Sequence, residues 1–114
     1  VRIVADIVVG CVDSRRARHA IMQAAKRGSC HYYLDCGNET DRGQVILGEL
    51  GRARHDRLPH VGDLFPDLLN ARNDKDDDTP SCSMADALRK QSLVINQAIS
   101  VQAFNLLWTL YRTG

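Results

Sequence analysis

Hydrophobic residues at the start of the chain follow a strand pattern that changes to a helical one. β-Branched residues from Ile3 to Val9 are interrupted by one charge, Asp6, which is typical of a strand buried on both faces of a parallel sheet. Helical spacing follows, with Ser14 as a suitable N-cap and Gly28 as the stop. The predicted apolar stripe of this helix consists of Ala17, Ala20, Ile21, Ala24 and Ala25.

Two further runs rich in β-forming residues predict a hairpin. They extend from His31 to Cys36 and from Gln44 to Leu50, and a short polar link with a glycine at each end separates them. Such a link favours antiparallel pairing over a crossover connection. We therefore expect an α/β fold in which a mixed open sheet is flanked by helices.

The second half of the chain follows a helical pattern with a polar interruption. The segment from Val61 to Leu69 predicts a short helix that kinks or ends near Pro66. Residues 70–81 are polar and predict a flexible loop. Ser83 to Gly114 predicts the closing helical region, which is apolar on nearly every side from Leu93 to Tyr111. Such a helix is either central to a core or shared with a partner.

Composition and charge narrow the classes of partner. A chain of 114 residues with 44% hydrophobic content suits one domain with a core of its own. Its net charge of +1 favours neither nucleic acid nor an anionic membrane. The longest apolar stretch, Ala98 to Tyr111, is too short to span a bilayer. No signal-peptide pattern precedes the first strand, so we expect a cytoplasmic protein with reduced thiols.

The cysteines offer one candidate reactive thiol. Their spacing contains no C-x-x-C pair, so we expect no structural zinc. Cys11, Cys30 and Cys36 lie in or beside predicted strands and are expected to be small core residues. Cys82 directly precedes a predicted helix, where a thiolate is favoured. The histidines show no ligand spacing and are expected to be structural or on the surface: His19, His31, His55 and His60.

The junction between the first strand and the first helix is the strongest candidate site. Asp13 follows the strand, and several arginines, including Arg18, follow Asp13. A carboxylate at this edge of a sheet can hold magnesium, and arginines there can face phosphate oxygens. The alternative is a helix-capping aspartate beside a solvated basic turn. Asp35 closes the second predicted strand, where it either joins the same crevice or satisfies a turn, and the turn is favoured.

Three segments, in order, resemble one protein family. VVGCVDSRRARHAI resembles the D-x-T-D-N-x-x-x-R-x-x-I segment of the E1-like superfamily, which includes ThiF, MoeB and the ubiquitin-activating enzymes. YYLDCGNETDRGQVILG is similar to the strand, loop and Gly-Gln strand that follow it. DTPSCSMADALRKQSLVINQAISVQAFNLLW is similar to the closing segment of ThiF-like proteins of PRTRC systems. The resemblance covers roughly Val8 to Arg112 and corresponds to the C-terminal half of a Rossmann-like E1 domain.

This resemblance implies an adenylyltransferase. Proteins of the family use ATP and magnesium to activate the C-terminal carboxylate of a ubiquitin-like or sulfur-carrier protein. Asp13 matches the family aspartate beside the magnesium ion and the triphosphate, so it is the candidate magnesium ligand. Arg18 matches the arginine five positions later. Cys82 is the candidate acceptor thiol for the activated acyl group.

The family's other nucleotide-binding residues precede the matched segment. They comprise a Gly-rich loop, a ribose-binding acid and the phosphate-clamping arginine and lysine, whereas seven residues precede Val8 here. The C-x-x-C pairs of many relatives are also missing. We therefore expect residues 1–114 to form a single, partial domain that is inactive alone and does not bind ATP tightly.

Two other functions stay open at this level. The first is a noncatalytic E1-like module that forms a homodimer through its last helix, because a helix that is apolar all round needs a partner surface. The second is a redox or metal protein that uses the cysteines and histidines, for which the chain shows no ligand spacing.

Overall fold

Three strands form one open sheet in the order β1-β2-β3. They span Ile7–Gly10 (β1), Tyr32–Asn38 (β2) and Gly43–Glu49 (β3). β1 runs parallel to β2, and β3 runs antiparallel to β2. The structure, a computed structural model, describes residues 1–38, 42–51, 54–70 and 94–114. Within them the predicted mixed α/β sheet and its hairpin are confirmed.

Helix α1, Arg15–Arg27, is the crossover between the two parallel strands. The Ser14 hydroxyl accepts a 3.0 Å hydrogen bond from the Ala17 N–H. At the other end, the Gly28 N–H donates to the carbonyl of Ala24. Both predicted caps are therefore confirmed.

The buried face of α1 differs in detail from the predicted apolar stripe. Met22 is fully buried but was not in that stripe, whereas Ala20 is exposed. Arg18 and Ala25 are buried with Met22. Arg18 lies four residues before Met22 and Ala25 three residues after it, so all three lie on one face of the helix. The core that this face helps to form contains Met22, Ala25, Cys30, Tyr33, Ile46, Leu50 and Val61.

The start of the first strand was predicted wrongly. Ile3 donates its N–H to the carbonyl of Ala24 and accepts at its own carbonyl from Ser29. These bonds tie Ile3 to the end of α1, so β1 begins only at Ile7. Val9 is 46% exposed, which also corrects the prediction that both faces of this strand are buried.

A short helical segment closes the core beyond β3. It consists of α2, Val61–Leu64, and a 3₁₀ turn, Pro66–Leu69. Phe65 ends α2, because proline disfavours helical geometry at the residue before it. The predicted break at Pro66 is thereby confirmed. Another 3₁₀ turn, Arg54–Asp56, lies between β3 and α2.

The last helix, α3, Ile95–Thr113, packs on β2 and β3. Ala103 is buried there, whereas several large apolar side chains of α3 are exposed, among them Val101, Phe104, Trp108 and Tyr111. Within the part of the chain that the structure describes, no helix is long and apolar enough to cross a membrane. The predicted loop lies outside the described residues apart from Asn70, as does the start of the closing helical region.

Candidate functional site

A crevice of about 510 Å³ lies between the carboxyl ends of β1 and β2 and the facing side of α3. The sheet side contributes Val9, Cys11, Val12, Asp13, Cys36, Gly37 and Asn38. The helix side contributes Asn96, Ile99, Ser100, Ala103, Phe104 and Leu107. Most of this lining is apolar. Among the described residues, its one carboxylate belongs to Asp13, and it has no cationic side chain.

Asp13 occupies the predicted junction between a parallel strand and a helix. It lies exposed at the crevice, after the end of β1 and directly before the N-cap of α1. Ser14 is that cap, so the alternative of a helix-capping Asp13 does not describe this turn. An exposed carboxylate at this edge of an open α/β sheet is in a position where ligands bind.

Arg18 lies on the other side of the sheet from the crevice. Its side chain is 4% exposed, and Nε donates to Oδ1 of Asp35 over 2.8 Å. Nη2 donates to the Val12 carbonyl over 3.1 Å, and Nη1 to the Leu68 carbonyl over 3.4 Å. The guanidinium thus joins α1 to the turn that carries Asp13, to β2 and to the 3₁₀ turn Pro66–Leu69.

Asp35 is fully buried in the interior of β2, so the favoured prediction of a turn was wrong. Its Oδ1 accepts from Arg18, and its Oδ2 accepts from Nε2 of Gln44 over 3.2 Å. A buried carboxylate needs such partners to offset lost hydration. Arg18 lies four residues before Met22, on the same face of the helix. This spacing is the signal in the sequence that indicates a buried cation.

The thiols of Cys11 and Cys36 face the crevice together. Cys11 is exposed and Cys36 is half-buried, which corrects the prediction that both are core residues. Burial, together with the neighbouring Cys11, raises the pKa of the Cys36 thiol to about 11. Only Cys30 of the described cysteines is buried, and its thiol donates to the Ile3 carbonyl over 3.5 Å. Cys82 lies outside the described residues.

The histidines occupy structural or surface positions, as predicted. Nδ1 of buried His60 accepts from the Gly62 N–H over 3.1 Å, and the Asp63 carboxylate accepts from the His60 N–H. Together these bonds form a capping box at the start of α2. Arg57 adds a 2.8 Å ion pair with Asp63. The other three histidines, His19, His31 and His55, are exposed.

The chemistry of Asp13 suits magnesium better than zinc. In the described ranges, no three side chains of His, Cys, Asp or Glu are grouped so that they could hold a metal ion. Magnesium is commonly bound through one or two carboxylates and completes its shell with water and phosphate oxygens. The exposed carboxylate of Asp13 could serve as such a ligand.

A scan of this chain against protein-family models finds no match, and searches of curated proteins and of solved structures give no significant match.

Proposed function

We propose that this chain is part of a ThiF-like adenylyltransferase of the E1-like superfamily, which activates the C-terminus of a ubiquitin-like or sulfur-carrier protein with ATP. The observation that carries the proposal is the exposed carboxylate of Asp13 at a crevice where a parallel strand ends and α1 begins. Ligands of open α/β sheets bind at such positions. The parallel pair of β1 and β2 joined by α1, followed by the antiparallel β3, is also compatible with the strand, loop and Gly-Gln strand of the family and supports the proposal of a Rossmann-like half-domain.

Asp13 and Arg18 have different tasks in this proposal. Asp13 would hold magnesium, which would supply positive charge to the phosphates. The carrier's carboxylate attacks the α-phosphorus of ATP, and pyrophosphate leaves. Arg18 donates to the carbonyl of Val12, the residue before Asp13, and thereby positions the carboxylate. Direct contact between Arg18 and a phosphate requires exchange of its present hydrogen bonds.

The described lining of the crevice agrees with a site to which further residues contribute. Phosphoryl transfer depends on cationic groups that stabilise charge on the phosphates, and the described lining of the crevice contains none. We therefore propose that other residues of the full-length protein complete the site and that the isolated chain is inactive.

The proposal also requires a group that accepts the activated acyl group. A thiolate attacks the acyl carbon, a thioester forms, and AMP leaves. Cys82 is the candidate for this role. The proposed setting is the cytoplasm, where protein thiols are kept reduced.

Pyrophosphate exchange into ATP tests this proposal. The full-length protein, supplied with its carrier, should catalyse exchange, and Asp13→Asn should reduce the rate by about 100-fold or more because phosphate charge is left unscreened. Asp6→Asn is the matched control, since Asp6 is an exposed aspartate just before β1, at the opposite end of that strand. A full-length protein without exchange activity, or an Asp13→Asn variant as active as the control, would rule out the proposed role.

The exposed apolar side of α3 favours a second candidate function, a noncatalytic module that dimerises. Phe104 is 71% exposed, Trp108 59% and Tyr111 83%. Large aromatic side chains left in water commonly mark an interaction surface. Sedimentation should then show a dimer that Trp108→Lys converts to a monomer, whereas Gln102→Lys, at an exposed polar position of α3, leaves it intact. A monomeric wild-type chain at high concentration contradicts this function.

A further inference from the structure

Two cysteines lie side by side at the sheet edge of the crevice. The parallel register pairs Gly10 of β1 with Asp35 of β2, so the next residues, Cys11 and Cys36, are neighbours. Both line the same crevice. Adjacent strands lie about 4.8 Å apart, which falls within the range of about 4.4–6.8 Å between Cα atoms that a disulfide spans.

The two thiols differ in access to solvent. Cys11 is exposed, whereas Cys36 is half-buried. Burial raises the pKa of Cys36 to about 11, and the charge and hydrogen bonding of the Cys11 thiol contribute to this rise. Because thiol–disulfide exchange requires access to the attacking sulfur, the exposed Cys11 is the thiol that reacts first, and the less accessible Cys36 is the one that resolves.

We propose that Cys11 and Cys36 form a redox-responsive dithiol, which a low-molecular-weight disulfide such as oxidised glutathione converts to an intramolecular disulfide. The Cys11 thiolate attacks one sulfur of the small disulfide, a mixed disulfide forms, and one glutathione thiolate leaves. The Cys36 thiol then loses its proton and attacks the Cys11 sulfur, and the second glutathione leaves. The protein gives up two electrons and two protons, which the small disulfide takes up.

This dithiol goes beyond the proposed adenylation and does not depend on it. The new bond links Cys11, which lies two residues before Asp13, to Cys36 of β2. It replaces two separate thiols in the lining by one cross-strand bond, so any ligand of the crevice contacts a different surface after oxidation. The surface that the crevice presents to a ligand therefore depends on the redox state of the cell.

Peptide mapping in glutathione redox buffers tests the inference. The intact chain, as wild type and as Cys82→Ser, is equilibrated at several ratios of oxidised to reduced glutathione, alkylated, and digested with trypsin and chymotrypsin. Cleavage at Tyr32 and Tyr33 separates Cys30 from Cys36. In both proteins we expect the Cys11 peptide to be joined to the Cys36 peptide, while Cys30 is alkylated after unfolding.

One substitution, with a matched control, identifies the order of the steps. Cys36→Ser should arrest the reaction at the mixed disulfide between Cys11 and glutathione, because the resolving thiol is missing. Cys30→Ser is the matched control and should retain the bond between Cys11 and Cys36. The inference is overturned if the wild-type chain forms no such bond at any ratio, or if Cys11 instead bonds to Cys30, to Cys82 or to a second copy.

Discussion

Arg18 and Asp35 place opposite charges in the core, where each is the other's partner at 2.8 Å. Removing one member leaves the other buried without a counterion. We expect Asp35→Asn to lower the free energy of unfolding by about 3–5 kcal/mol, measured by urea unfolding at neutral pH. The exposed Asp67 gives the matched control, Asp67→Asn, for which we expect a change within about 0.5 kcal/mol. Equal effects of the two substitutions would show that the ion pair is not what stabilises this site.

Asp63 makes the stability of the α2 region depend on pH. Burial raises the pKa of its carboxyl, but hydrogen bonds from the His60 backbone and the Arg57 guanidinium outweigh that effect and hold the pKa below its ordinary value of 3.8. The folded-state pKa is therefore lower than the unfolded one. Its contribution is present above the unfolded pKa and is lost as the pH falls through the folded pKa.

Asp63→Asn should remove this acid-sensitive contribution. At neutral pH we expect the variant to be less stable by about 1–3 kcal/mol, because the ion pair with Arg57 is lost. The difference from the wild type should shrink as the pH falls below the ordinary aspartate range, which denaturant titrations over a pH series would measure. A constant difference at every pH would contradict the role assigned to this carboxylate.

The two crevice thiols should differ in their rates of alkylation. At about pH 8 the exposed Cys11 should react with iodoacetamide faster than Cys36, because thiolate is the reactive form and the pKa of Cys36 is raised to about 11. The Cys36 rate should increase as the pH approaches that value. Quenched time points analysed by mass spectrometry give both rates in one sample, and a faster reaction of Cys36 at the lower pH would contradict the assignment.

At the scale of elements, the N-cap of α1 is a separate source of stability. Ser14 accepts from the Ala17 N–H, so Ser14→Ala should lower the free energy of unfolding by about 1 kcal/mol. Ser29, exposed just after the same helix, offers the matched control Ser29→Ala, which should have little effect. Thermal or urea denaturation of both variants measures the difference. Equal stabilities of the two variants would show that the Ser14 hydrogen bond does not stabilise the protein.

The elements that the sequence predicts well are those defined by local interactions. Ser14 and Gly28 bond to residues within one turn of themselves, and the short polar link between the two predicted strands is enough to predict the hairpin of β2 and β3. The start of β1 depends instead on Ile3 bonding to the end of α1. Asp35 is buried because Arg18, distant in sequence, supplies its counterion. Pattern alone does not identify such partners.

In the candidate site, too, the sequence predicts features that depend on local interactions but not contacts between distant residues. The sequence places Asp13 correctly at the junction of strand and helix, because strand end and N-cap are both local signals. It does not bring Cys11 beside Cys36, since that contact depends on the parallel register. It also does not predict that α3, more than eighty residues after Asp13, forms the facing side of the crevice.

For the whole molecule, association through α3 would link stability to concentration. If Trp108 and its exposed neighbours are covered in a dimer, the melting temperature should rise with protein concentration, because association stabilises the folded chain by mass action. Trp108→Lys should remove this dependence, and Gln102→Lys should keep it. Scanning calorimetry over a concentration series measures both, and a melting temperature independent of concentration in the wild type would exclude a folding-linked dimer.

Gly43 leaves room on β3 for the side chain of Ile99 on α3. The space that a side chain would need at this position is taken by Cδ1 of Ile99 and by the Gly37 carbonyl. A methyl group there would clash with the Gly37 carbonyl and displace the tip of the Ile99 side chain. Because Ile99 lines the crevice while Gly43 does not, a side chain introduced at a glycine outside the crevice would alter the crevice lining through Ile99.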